Sequence, residues 1–431
     1  MRHVYMLRAG RVARALCGLV VLAGVLAPCP PAWAEGAFSL ASLLRELELR
    51  SPVLRARRAA IQAAAERPVQ ARALEDPMLM AELWQVPLHP HEVPLMFTLR
   101  QPLAWPGKLR ARAEALEPEV AEARAALASA VRLLRLEAAY AYHDYRLAVR
   151  ALAVQREHRL VLQTVVDAVE VRYRVGRAEL AALLQARQAL AELDSALLDL
   201  ERQRDAAQTT INTLLDRPAD HPLGEPTSVP VPRPLPALAT LTELALAHRP
   251  ELAMIEAALA RARGKQRAAG AERAPDLAVW TAYMAMPRAG EHRLTVGVQT
   301  SLPSFSLSRS NAAMREAAAD VAMQEALLAQ ARARVRGEVR QAVLGLQTAR
   351  RHIDLHRNTL IPLAEQALQA AQASYGTGRT DMVLLLAAAR TLIGHRLDHE
   401  RFVAEYGQRL AELEAAIGTS LPAAEASQVQ P

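Results

Sequence analysis

Four histidines stand in two pairs spaced i, i+4: His352 with His356, and His395 with His399. Two imidazoles one helical turn apart on one face make a usable chelate for a zinc-type cation. The second pair is no metalloprotease motif, because Arg396 stands where the catalytic glutamate would be. If the chain between the pairs folds back at Gly376–Thr377, position 352 lies opposite about 401 and position 356 opposite about 397. All four histidines then share one height to within about one helical turn, with Asp354, Asp398 and Glu400 nearby. Four exposed histidines on a helical surface would give the same spacing without a metal. Met78, Met80, Met284 and Met286 suggest soft-metal binding, although lining a strand is the plainer account of them. No nucleophile–base–acid set and no phosphate-cradling loop stands out, so the chain reads as a non-enzyme with no cofactor.

The elements that would position these residues come in two copies. YRVGRAELAALL at 173–184 returns as YGTGRTDMVLLL at 375–386, an offset of 202. Ser51-Pro52 pairs with Arg249-Pro250 and Asp76-Pro77 with Ala274-Pro275, both at 198; Pro102 with Pro303 and Glu137 with Glu338 are both at 201. Such self-similarity marks duplicated architecture. The expected organisation is a first repeat at 35–217, a proline-rich linker at 218–236, a second repeat at 237–418 and a tail at 419–431. In each repeat the pattern predicts an Ala-rich helix (about 40–75; 237–272) and then a short segment of period two. A very long helix follows (about 104–173; 305–374), then a Gly-containing turn and a returning helix (about 178–215; 380–417). Pro118 and Pro362 fall inside the long helices and should bend or break them.

The period-two segments predict hairpins over 77–102 and 276–302, with strands about ten residues long, the length of a tilted membrane-spanning strand. Four strands cannot close a barrel, and an open sheet edge cannot sit in lipid. Several chains would have to share one barrel, and three would supply twelve strands. A soluble hairpin capping a helical bundle remains the alternative.

Composition points the same way. Apolar residues make up 52% of the 431 residues but aromatics only 4%. Alanine-rich sequence of this kind suits thin helix–helix interfaces rather than a thick globular core. The first 34 residues read as a cleaved signal peptide: Arg2, Arg8, Arg11 and Arg14, an apolar run from Leu16 to Leu26, and Ala32-Trp33-Ala34 as cleavage site. Cleavage would remove both cysteines, Cys17 and Cys29, and lower the net charge from +7 to +3. Lipidation at Cys29 is disfavoured by Pro28. The small positive excess, without a basic-aromatic patch, gives no argument for nucleic acid.

Read together, the duplicated turn, the terminal LAELEAAIG at 410–418 and the segment FTLRQPLAWPGKLRARAEA at 97–115 resemble the outer membrane efflux protein (TolC) family, and the last of these its heavy-metal, CzcC- and CusC-like branch. The resemblance implies a mainly α fold with a small β part: long helical hairpins forming a periplasmic α-barrel, plus four strands per chain in a shared 12-stranded outer-membrane β-barrel. It implies a homotrimer in the outer membrane of a Gram-negative bacterium. Such a trimer serves as exit duct for an inner-membrane pump of RND type, bridged by a periplasmic adaptor protein. The exported species would be heavy-metal cations. A multidrug or type I secretion duct of the same family is the alternative, as is a periplasmic coiled-coil scaffold without channel activity. Adaptor docking falls by this resemblance on the tips Val175, Gly176, Arg177, Thr377, Gly378 and Arg379. The acids Glu179 and Asp381, two residues further on, would ring the pore entrance and attract cations. Family members often carry aspartates slightly further along, where this chain has Val383, Leu384 and Leu386.

Overall fold

The computed structural model describes residues 38–83, 95–227, 234–286, 291–301, 307–377 and 380–421. The signal-peptide segment, both cysteines, and the tip residues Gly378 and Arg379 lie outside the described residues.

Helices α1 (Leu40–Arg50) and α2 (Pro52–Arg72) lead to strands β1 (Met78–Leu83) and β2 (Leu95–Leu103). Helices α3 (Pro106–Leu116), α4 (Pro118–Arg174) and α5 (Leu180–Leu214) follow. The second half repeats the order with α6 (Leu238–His248), α7 (Pro250–Ala271), β3 (Leu277–Met286), β4 (Glu291–Thr300), α8 (Leu307–Leu355), α9 (Ile361–Gly376) and α10 (Met382–Ile417). At 57 residues, α4 runs for roughly 85 Å at 1.5 Å per residue.

Two expected helices are each broken. The spans 40–75 and 237–272 divide at Ser51 and Arg249, which take ψ of 120° and 117°. Each precedes a proline, which disfavours helical backbone at the residue before it and is well suited to the first turn of a new helix. Pro118 likewise starts α4 after a separate α3. Near Pro362 the break takes another form, a π-helical turn at His356–Leu360 in which the Ile361 N–H donates to the His356 carbonyl five residues back. Proline has no N–H and crowds the carbonyl four residues before it, here that of Asn358; the wider turn accommodates this.

Equivalent positions of the two halves fill equivalent cores. Leu43, Leu47, Ala138, Ala141, Tyr142, Tyr145, Ile211 and Leu215 pack α1 against α4 and α5. Leu241, Ala245, Val339, Ala342, Val343, Leu346, Leu413 and Ile417 do the same for α6, α8 and α10. Along the long helices the buried positions run 201 residues apart from Ala138/Val339 to Leu152/Ile353. They run 202 apart from Leu162/Ala364 to Val169/Ala371. The second half therefore holds one extra residue, and the π turn lies where it is absorbed.

The four strands form one antiparallel sheet in the order β1-β2-β3-β4, the two hairpins meeting at β2 and β3. Lys108, only 2% exposed, fixes the base of this sheet: its Nζ lies 2.7 Å from Asp276 Oδ1 and 3.6 Å from Glu272 Oε2, tying α3 to the segment entering β3. The Gln101 side chain donates to the Glu75 carbonyl at 2.8 Å, tying β2 to the segment entering β1.

Candidate functional site: an apolar sheet face, two helical tips and a histidine cluster

Residues directly opposite in an antiparallel sheet share a face, so the register sorts the side chains. One face carries Leu79, Ala81 and Leu83, then Leu95, Phe97 and Leu99. It continues through Val279, Thr281, Tyr283 and Ala285 to Leu294, Val296 and Val298. Leu79, Leu294, Val296 and Val298 are each at least 67% exposed. The opposite face is mixed: Met78, Met80, Glu82, Met96, Thr98, Arg100, Trp280, Met284, Arg293, Thr295 and Gln299. Met78, Met80 and Met284 thus lie on the mixed face, along strands. Tyr283 stacks on His292 near the β3–β4 hairpin end, its hydroxyl 2.8 Å from the ring Nδ1, and exposed Trp105 stands at the helical end. Strands of this length, tilted as in a barrel, give an apolar band about 25 Å tall, and aromatic residues flank such bands at the lipid–water boundaries. Both outer strands, β1 and β4, have one edge without a partner strand among the described residues.

At the far end, the α4–α5 turn closes through a Schellman motif. Gly176 takes φ +70°, its N–H donates to the Tyr173 carbonyl at 2.9 Å and that of Arg177 to the Arg172 carbonyl at 2.8 Å. Glycine suits this left-handed position because it has no Cβ. Val175, Gly176, Arg177 and Glu179 are all exposed. In the second tip α9 runs to Gly376, and the Thr377 hydroxyl donates to the Ser374 carbonyl at 3.0 Å. The two acids differ. Asp381 caps α10, accepting from the Leu384 N–H at 3.1 Å, whereas Glu179 occupies the same position on α5 without a side-chain cap bond. The tips are packed together by Val169, Leu183, Ala371, Met382 and Leu385. The Arg172 guanidinium sits 5.0 Å from the centre of the Tyr375 ring. That cation–π contact uses one of the two duplicated tyrosines, and nothing in the linear pattern distinguished them.

Of the four histidines, the structure brings two together with one carboxylate. His356, His395 and Asp398 have ligand atoms all within 4.8 Å of one another. The His352 ring instead stacks on Phe402 at 4.3 Å, and His399 has Nδ1 4.0 Å from Glu400 Oε1. The i, i+4 partners therefore diverge. His356 is buried against α10, while its Nδ1 lies 2.9 Å from the His352 carbonyl oxygen.

A further polar seam joins α4 to α10. Arg146 pairs with Glu400 at 3.3 Å, Gln408 donates to Asp144 at 2.8 Å, and Tyr140 hydrogen-bonds Glu412. His143 is buried over Gly407, where a Cβ would meet the imidazole at 2.2 Å. Burial, reinforced by Arg146, pushes the His143 imidazole down to about 4. Apart from Glu400, which the sequence placed beside the histidine pairs, none of these residues announced itself, since each is a lone polar residue on a helix.

Residues 241–419 match the family described as outer membrane efflux protein. No curated protein matches the chain by sequence. The fold is shared with solved outer-membrane channels. OprN superposes with a TM-score of 0.74 at 19% identity, over 88% of this chain and 90% of its own. The membrane-channel protein CusC gives 0.76 at 20%, over 88% and 92%. VceC from Vibrio cholerae gives 0.75 at 20%, over 88% and 96%.

Proposed function

We propose that this chain, whose residues 241–419 match the outer membrane efflux protein family and whose fold is that of outer-membrane channels, is one third of an exit duct through the outer membrane. The observation that carries the reading is the apolar face continuous across four strands, bounded by two edges left unpaired among the described residues. Lipid tolerates neither unpaired edge, because no water is there to satisfy the backbone groups. Copies of the same sheet placed edge to edge remove both edges at once. Three copies give twelve strands, with the mixed face carrying Arg100, Arg293 and Gln299 turned to an aqueous lumen.

In this reading the long helices cross the periplasm as a tube, and the six tips face the pump. Val175, Gly176, Arg177 and Thr377, with Gly378 and Arg379, dock a periplasmic adaptor that links the duct to an inner-membrane pump of RND type. Glu179, unlike Asp381, is not committed to capping its own helix, which favours it as the acid that draws cations to the entrance. Metal cations are the exported class we favour, on the strength of the Gln101-to-Lys108 segment and its buried lysine clamp.

Planar-bilayer recording of the purified protein, with outer-membrane fractionation of the producing cells, tests the duct. Discrete conductance steps and an outer-membrane location are expected. A periplasmic, non-conducting protein would establish the scaffold reading instead. Sensitivity of a deletion strain to zinc, copper and cobalt salts, set against a panel of drugs, separates metal export from multidrug export.

A further inference from the structure

The extra residue of the second half has a chemical neighbourhood of its own. Positions equivalent to His356, His395 and Asp398 in the first hairpin are Gln155, Leu193 and Ala196, which could not form a comparable chelate. Among the described residues, the second hairpin alone brings two imidazoles and a carboxylate together across the π turn and α10. We infer that His356, His395 and Asp398 form a binding site for a single divalent transition cation of the zinc type, one per chain.

Three features of the geometry support this. First, a carbonyl oxygen only accepts, so the His356 ring must donate from Nδ1 to the His352 carbonyl at 2.9 Å. That bond fixes the tautomer and leaves Nε2 with its lone pair free, the arrangement that orients metal-bound histidines. Second, the donor set of two imidazoles and one carboxylate suits Zn²⁺, with a fourth position left to water. Third, the ligand atoms lie within 4.8 Å of one another, while a tetrahedral ion at ~2.0–2.1 Å from each needs them about 3.3 Å apart. Small rotations of His395 and Asp398, both part-exposed, close that difference. The His356 ring is held meanwhile by burial and by Phe402, whose ring centre lies 5.1 Å away.

One local competitor is present. Arg401 Nη1 stands 3.4 Å from Asp398 Oδ1, but that arginine is 63% exposed and can swing into solvent. A bound ion would staple the π turn to α10 at His356, some twenty residues before the end of α9, roughly 30 Å from the tip at 1.5 Å per residue. The staple would stiffen one arm of each chain and not the other.

The test is calorimetric titration of the detergent-solubilised, full-length protein, produced without a histidine tag, with ZnCl₂ at neutral pH. One saturable site per chain is expected, weakened at least tenfold in His356→Gln and in His395→Gln. It should be retained in His352→Gln, because only the backbone of that residue takes part. Replacing zinc by Co²⁺ in the unaltered protein should give the visible absorption of a four-coordinate cobalt site, a readout that needs no variant. Absence of saturable binding in the unaltered protein overturns the assignment. So does unchanged affinity in the His356→Gln/His395→Gln double variant. Because the readout is binding, the result is independent of whether the chain conducts.

Discussion

At the scale of single residues, function and stability are separable. Asp381 is accounted for by its cap on α10, whereas Glu179 at the matching place makes no such bond, so the two acids that looked alike in the sequence differ in their structural commitment. His143 offers a sharper consequence. Its imidazole takes a proton at 6.5 when exposed but only at about 4 when folded. Between those values the unfolded chain holds a proton that the folded chain refuses, so stability is complete above pH 6.5 and falls as pH drops towards 4. The full cost is roughly 3 kcal/mol per chain at 1.36 kcal/mol per pH unit. His158, lowered by burial and by Arg396, adds in the same direction. Asp144 and Glu414, raised by burial, offset part of the loss at the acid end. Thermal melting of His143→Asn should show a shallower fall in melting temperature over this range than the parent. Parallel curves would remove His143 from the account. The burial of this histidine could not be read in advance, because it depends on Gly407, 264 positions away, leaving room for the ring.

At the scale of elements, the alternation of side chains was legible and the pairing was not. Leu294, Val296 and Val298 alternate with Thr295, Gly297 and Gln299 in a way that declares a strand. What the alternation omits is that β2 pairs with β3, since that contact joins residues far apart in the chain. The lipid assignment makes the two faces unequal. Arginine at Val296 would stand near the middle of the apolar band and cost about 2–4 kcal/mol there, whereas arginine at Thr295 would face the lumen. Val296→Arg should therefore sharply reduce the folded protein recovered from outer membranes, while Thr295→Arg should leave recovery intact and change conductance. Equal recovery of both variants would mean that this face does not meet lipid. The helices were legible in extent but only partly in continuity: the breaks at Pro118 and Pro362 were expected, those at Pro52 and Pro250 were not. Proline at 52 and 250 was visible, yet apolar periodicity running across each one argued for a single helix.

At the scale of the whole molecule, each half supplies one hairpin, and the two hairpins are fastened along their sides. Arg390 reaches Glu192 at 2.7 Å between α10 and α5, beyond the apolar contacts of the tips. An exposed ion pair of this kind contributes little by itself, so the packed Val169–Leu385 cluster and the α4–α10 seam carry more of the joining. Closure of the sheet requires neighbours. The chain has no cysteine after Cys29, so cysteines introduced at Leu79 on β1 and Val296 on β4 can report on edge-to-edge contact. Oxidation of membranes containing this double variant should give covalent species of two and three chains and nothing larger. A ladder continuing past three would replace the closed ring by an open assembly. Repeat number and strand count could be read from one sequence, but the number of copies is a property of how edges meet. The apolar face of the folded sheet adds to that arithmetic a surface on which the proposed closure can be tested.

The π turn at His356–Leu360 also bears on how such a chain tolerates change in length. A single residue inserted into an unbroken α-helix turns everything beyond it by about 100° about the axis, which would swing the buried stripe of α9 out to solvent. Here the surplus is confined to five residues, and Ala364 and Ala371 still face inward as Leu162 and Val169 do in the other half. The two halves of the duplication were thus free to drift apart in length while keeping their contact surfaces in phase, and the slack that allowed it lies beside three side chains able to ligate a metal.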